Sequence, residues 1–248
     1  MSQQDPVRIA VLVPAGNSVH QREFETLRPV GVEFRFAGFS YPPSNSVDFC
    51  TDLRARMAPL ISDMRQWGAR LLLVGCTAAS MRCAAPADEG ALQQLAGMPV
   101  VTAASAVRDA LQVLGLQRLA VATPYGAASN LVVAGYLRSV GIDVTTIRGL
   151  DLDRSPEVWQ REVPALTPEQ VVELGRSIDG PATQALYLPC TGLASIKAIE
   201  LYEQRSGKTA LSSVQAGFWA SLQRLGIDAR CSGAGRLLRD WPQRAATA

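Results

Sequence analysis

Along this 248-residue chain, short apolar runs rich in β-branched residues alternate with longer segments whose apolar residues recur three and four positions apart. The short runs predict strands at 7–13, 32–37, 70–75, 99–102, 118–122, 143–147, 184–188 and 210–212. The longer segments predict helices at 47–67, 104–114, 128–140, 168–178, 193–203 and 215–225, because that spacing lines one helical face with apolar side chains. Gly115, Gly141 and Gly226 each follow such a segment, where a residue tolerating positive φ ends a helix. Strand and helix in alternation predict an α/β protein with parallel sheets covered by helices.

The pattern repeats once. Arg8-Ile-Ala-Val-Leu-Val-Pro14 resembles Arg118-Leu-Ala-Val-Ala-Thr-Pro124, 110 positions on. Leu-Val-Gly-Cys76-Thr77-Ala-Ala-Ser80 resembles Tyr-Leu-Pro-Cys190-Thr191-Gly-Leu-Ala-Ser195, with the cysteines 114 apart. Val100-Val-Thr102-Ala-Ala matches Ala210-Leu-Ser212-Ser-Val, in the same order. A duplicated order implies two pseudo-symmetric Rossmann-like lobes, each with a parallel four-stranded sheet. The lobes are expected at 1–115 and 116–248, with the C-terminal segment free to cross back onto the first. Parallel sheets bind ligands beyond the carboxyl ends of their strands, so the active site is expected in the cleft between the lobes, with Cys76 and Cys190 on opposite sides.

Composition narrows the function. Hydrophobic residues at 48% and charged residues at 19% supply a core. Lys+Arg of 24 against Asp+Glu of 22, with no basic run interleaved with aromatics, argues against a nucleic-acid partner. No apolar stretch is long enough to cross a bilayer and the first residues do not read as a secretory leader, so a cytoplasmic protein with no membrane partner is expected. The five cysteines form no CxxC pair and read as free thiols of a reducing compartment, with neither a disulfide framework nor a zinc site. With His20 the only histidine, proton chemistry must come largely from other groups.

Cys76 and Cys190 each end a strand where a helix is expected to begin. Unpaired N–H groups and the positive end of the helix dipole favour a thiolate there, and the same amides bind carboxylates. Thr77 and Thr191 are placed to add hydroxyls. A lone cysteine of this kind reads equally as a small buried hydrophobe; two at equivalent positions read as chemistry. Cys50 and Cys231 are expected to pack, and Cys83 to be structural on the helix that Cys76 precedes.

With these features in hand, the paired cysteines, the Val-Pro-x-x-Asn-Ser stretch at 13–18, Ala-Thr-Pro-Tyr at 122–125 and Gly-Phe-Trp at 217–219 resemble the maleate isomerase and arylmalonate decarboxylase branch of the aspartate/glutamate racemase superfamily. Pro14, Asn17 and Ser18 match the maleate isomerase motif after the first strand, whereas Ala15, Gly16 and Val19 differ. The resemblance implies that Cys76 is the nucleophile or first base and Cys190 the acid or second base. It implies that Asn17 and Tyr125 hold substrate carboxylates, although Asn17 also reads as a helix cap and Tyr125 as a turn residue. Maleate isomerases carry an asparagine in the loop after the sixth strand; 149–155 holds none, and Arg154 would replace it, unless it is a solvated loop charge.

Arylmalonate decarboxylases resemble one-cysteine enzymes with glycine at the first site, and amino-acid racemases carry Cys-Asn-Thr there; this chain has Cys76-Thr-Ala. The resemblance therefore implies cis–trans isomerisation of maleate, or of a related small cis-dicarboxylate, to fumarate through a cysteine adduct, with no cofactor and no metal. A racemase or decarboxylase using the same cysteines, and a carboxylate-binding protein, are the alternatives. A homodimer is expected, the apolar helix at 47–67 serving either as interface or as core.

Overall fold

The structure, a computed structural model, describes residues 5–43 and 45–243. In chain order the first half contains β1 (Val7–Pro14), α1 (Ser18–Leu27), β2 (Val32–Phe39), α2 (Phe49–Gln66), β3 (Leu71–Val74), α3 (Thr77–Arg82), α4 (Pro86–Ala96), β4 (Val100–Thr102) and α5 (Ala103–Val113). The second contains β5 (Arg118–Thr123), α6 (Ala127–Ser139), β6 (Asp143–Gly149), α7 (Pro156–Glu162), α8 (Pro168–Arg176), β7 (Ala185–Leu188), α9 (Ile196–Ser206), β8 (Thr209–Ser212), α10 (Ser213–Arg224) and α11 (Gly235–Asp240). All eight expected strands form. The two sheets are parallel and four-stranded, ordered β2-β1-β3-β4 and β6-β5-β7-β8, so the sequence repeat is a repeat of topology.

The alternation of side chains along a strand explains the layering. In β1, Ile9, Val11 and Val13 face the large core shared with the second half, while Ala10 and Leu12 face a smaller cluster under α2. That cluster takes the apolar face of α2 (Leu53, Met57, Ile61 and Met64), so this helix is a core element and its apolar face is not a dimer surface. Gly115, Gly141 and Gly226 have φ of +64°, +82° and +70°, as their place after helices requires.

The halves are joined through equivalent helices. α5 and α10, which follow the last strand of each sheet, pack on one another. α10 is buried from Ser213 to Leu222 and reaches deep into the first half: Phe218 meets Phe24 edge-on at 5.3 Å, and Gly217 lies against Leu73. A Cβ at Gly217 would stand at ordinary contact distance from that leucine, so the packing here leaves room for a methyl group.

Two expectations are corrected. Cys50 and Cys83 are joined in a disulfide, with Cα atoms 5.6 Å apart, tying the start of α2 to the end of α3; only Cys76, Cys190 and Cys231 are free thiols. Cys83 stands at the C-terminal cap of α3 and Cys50 on another helix, so no local spacing could have paired them. The second helix after a cysteine is also shifted: α9 begins at Ile196, not 193, because Thr191 and Gly192 form a turn and the chain bends at Leu193 before the helix starts. No helix among the described residues is long and apolar enough to cross a membrane.

Candidate active site

A cavity of about 620 Å³ opens between the carboxyl ends of the two sheets. Both Cys76 and Cys190 line it, as do Pro14, Asn17, Thr77, Tyr125 and Thr191. Of the eight positions singled out in the sequence, only Arg154 is left outside: it is exposed, and its guanidinium is 3.5 Å from the carbonyl of Asp151. Its loop neighbour Asp153 faces the cavity instead, but its carboxylate accepts from the Gly126 N–H at 2.7 Å and the Ser129 hydroxyl at 2.6 Å, at the start of α6.

Cys76 is the N-cap of α3, extended at φ −141° as a cap should be. The phenol of Tyr41, two residues beyond β2, stands 2.9 Å from its sulfur. Tyr41 was not anticipated, yet the rule that parallel strands deliver ligand-binding residues just past their carboxyl ends would have pointed to it. Cys190 has the counterpart arrangement, facing the hydroxyl of Tyr125 and receiving the Gly192 N–H at 3.3 Å. Its backbone lies at φ +94°, a region that costs a side-chain-bearing residue about 1–3 kcal/mol and persists only when its surroundings over-determine it.

Those surroundings come from the opposite half. The Cys190 N–H donates to the Thr77 hydroxyl at 3.1 Å, and that hydroxyl donates to Ser213 at 2.8 Å; Ser213 is also 2.7 Å from the Tyr187 phenol. Reciprocally, the Thr191 hydroxyl donates to the carbonyl of Gly75, the residue before Cys76, at 2.8 Å, and receives the Asn17 amide at 3.1 Å. A hydroxyl has one proton to donate. Both threonine protons are committed within the protein, so these residues hold the two cysteine segments in place. Asn17 caps α1, accepting the His20 N–H at 3.3 Å, and keeps a second amide hydrogen for a ligand.

Burial reverses the electrostatics expected of the thiols. It raises Cys76 above the ordinary thiol value despite the Tyr41 hydroxyl and the Ala79 and Ala78 N–H groups, which act in the other direction. It pushes Cys190 up to about 12 against the Gly192 N–H and Tyr125 hydroxyl. Tyr125 is likewise raised by burial, then by Cys190 and Cys76; Tyr41 is 47% exposed as a residue, and it is the local desolvation of its hydroxyl, then Cys76, that pushes it the same way. Around neutral pH all four groups hold their protons in the ligand-free cavity, as desolvation dictates for acids.

Much of the remaining wall is apolar. Trp159 of α7 stacks on Tyr125 with ring centroids 5.6 Å apart and planes at 6°, beside Val132 and Pro156. Nothing in the spacing of Trp159 marked it, since it lies on a short helix far along the chain. Arg82 and Asp153 are the only charged residues among those lining the cavity, and the Arg82 guanidinium sits 4.1 Å from the ring centre of Phe49. A bound carboxylate would therefore be held chiefly by neutral donors: phenols, an amide and backbone N–H groups.

Over residues 12–238 the chain matches the arylmalonate decarboxylase family. A maleate cis–trans isomerase of Nocardia farcinica bound to TRIS is similar in structure, with a TM-score of 0.81 at 27% identity over 94% of this chain and 98% of its own. A mutant of a Nocardia farcinica maleate cis–trans isomerase carrying a covalently bound succinylcysteine intermediate gives 0.80 at 27% identity, with the same coverage. In sequence, an arylmalonate decarboxylase of Bordetella bronchiseptica is 31% identical over 148 residues, 59% of this chain and 60% of its own.

Proposed function

Because this chain belongs to the arylmalonate decarboxylase family, within the aspartate/glutamate racemase superfamily, we propose that it isomerises maleate, or a closely related small cis-dicarboxylate, to the trans isomer through a covalent adduct on Cys76. The observation that carries this reading is the presence of two cysteines in one cavity, each paired with a phenol: Cys76 with Tyr41 and Cys190 with Tyr125. The succinylcysteine in the Nocardia relative supports sulfur addition as the reaction type.

Cys76 releases its thiol proton to solvent as its sulfur forms a bond to one alkene carbon and the π pair moves onto the other carbon and its carboxylate, and it regains a proton once the sulfur has been expelled. The former double bond is then single and rotates. Expulsion of the Cys76 sulfur re-forms the double bond in the trans arrangement, and no atom is gained or lost. Cys190, held protonated by burial, is suited to lend a proton to the carbanionic carbon and take it back. Tyr41 stabilises the departing sulfur through its hydroxyl, while Asn17 and Tyr125 hold the carboxylates.

A second reading has one observation in its favour. The Trp159–Tyr125 wall suits an apolar substituent, as decarboxylation of a substituted malonate with protonation by Cys190 would require. Proton NMR of the purified protein with maleate, beside Cys76→Ala and Cys190→Ala, decides between them. Fumarate formed only by the unsubstituted protein supports isomerisation; unchanged maleate, with carbon dioxide released from an arylmalonate, overturns it in favour of decarboxylation.

A further inference from the structure

His20, the only histidine, lies on α1 one turn beyond Asn17 and is 1% exposed. Its ring meets Phe24 edge-on at 4.5 Å and Phe36 at 5.9 Å. Neither ring nitrogen forms a hydrogen bond of ordinary geometry; the polar contact the ring makes is a weak one to the Gly75 backbone, so the imidazole is held chiefly by packing. It does not line the cavity, and the proposed reaction makes no use of it.

What it touches is Gly75. A Cβ on Gly75 would stand 2.4 Å from Cε1 and 2.6 Å from Nδ1 of His20, distances no pair of real atoms tolerates, with Val13 next at 3.3 Å. Gly75 is otherwise fixed through its N–H, which donates to the Leu12 carbonyl at 2.7 Å, and through its carbonyl, which accepts from Thr191. On the side where a side chain would stand, this ring is its nearest neighbour, ahead of Val13. The next residue is Cys76.

We propose that His20 is a positioning residue: its ring, packed on the bare Cα of Gly75, sets where the Cys76 sulfur stands relative to Tyr41 and Cys190. The inference rests on the reading of Cys76 as the reacting thiol. His20 acts by volume and carries no proton to the substrate, so the pair is expected to be interchangeable in size. Removing the ring leaves Gly75 unsupported; a methyl on Gly75 displaces the segment; the two together restore the contact.

The test compares His20→Ala, Gly75→Ala and the double variant with the unsubstituted protein, at a temperature where melting curves show each folded. Maleate turnover is measured beside alkylation of Cys76 by iodoacetamide, read on the Cys76 peptide by mass spectrometry. Each single variant is expected to lower kcat on the order of tenfold with KM nearly unchanged, since small misplacements of a reacting group cost this much or more. The double variant should recover most of that loss, and its alkylation rate should return toward that of the unsubstituted protein. Folded single variants with undiminished kcat would overturn the inference, and so would a double variant no better than Gly75→Ala. If one single variant does not fold, the double variant against the other decides. If the unsubstituted protein itself does not turn over maleate, the proposed reaction is what has failed, and the alkylation rates alone settle the pairing.

Discussion

Thr77 and Thr191 exchange partners across the two halves of the chain: the first accepts the N–H of Cys190 at 3.1 Å, and the second donates to the carbonyl before Cys76 at 2.8 Å. Each half thus holds the cysteine of the other. The internal repeat supplies a symmetric pair of clasps, and the cavity depends on both sheets keeping their mutual position.

Replacing Thr77 with valine leaves the buried Cys190 N–H without its partner, and Ser213 with Tyr187 alone, at nearly constant volume. A buried donor left unmade costs about 1–3 kcal/mol, and Cys190 is already in a strained backbone region. Urea titration should show that loss for Thr77→Val and most of it regained for Thr77→Ser. A valine variant as stable as the parent would mean that the clasp carries no energy.

The thiols should be slow to alkylate at neutral pH. Burial raises both above the ordinary value of 9.0, Cys190 to about 12, so the thiolate fraction keeps growing past pH 9. Iodoacetamide rates on the Cys76 and Cys190 peptides should still be climbing at pH 9 in the ligand-free protein. A plateau reached near neutrality would show instead that the N–H groups around the sulfurs outweigh desolvation.

Glu23 of α1 reaches across to cap α9, accepting from the Ile196 N–H at 2.8 Å and the Ser195 hydroxyl at 3.1 Å. Burial is the largest influence on its carboxyl and raises it from 4.5 to about 7; the Ile196 and Ser195 donors and, last, the charge of Arg22 work the other way. Since the folded value lies above the unfolded one, this group's contribution to stability is fully present below about pH 4.5 and is lost as pH rises through about 7. Glu23→Gln should flatten the dependence of the melting temperature on pH across that window; an unaltered slope would assign it to other groups.

The Cys50–Cys83 bridge closes a loop of sequence separation 33 between α2 and α3, the helix that Cys76 caps. On chain-entropy grounds its removal should cost roughly 3–4 kcal/mol. Thermal melts with and without a thiol reductant, and of Cys50→Ser, should move together and downward. If reductant lowers the melting temperature of Cys50→Ser as well, the effect comes from another source.

The sequence determined by itself what depends on local periodicity. All eight strands, six of the helices and the duplicated order follow from apolar spacing and glycine stops, because strand and helix each bury one face at a fixed period. The short helices α7 and α11 carry too few turns to show a period, and α4 has a weak one, although Pro86 opens it and Gly97 closes it with a left-handed cap. That Cys76 and Cys190 face one cavity was legible from their place at strand ends. What the tertiary structure alone decided is partnership and burial. Tyr41 meets Cys76 from 35 positions away, Cys50 meets Cys83 across two helices, and Thr77 turns to Cys190 rather than to a ligand, none of which has a spacing to announce it. The protonation of the thiols belongs to the same class. A helix N-terminus is visible in a sequence, whereas the desolvation that outweighs it depends on the whole surrounding packing.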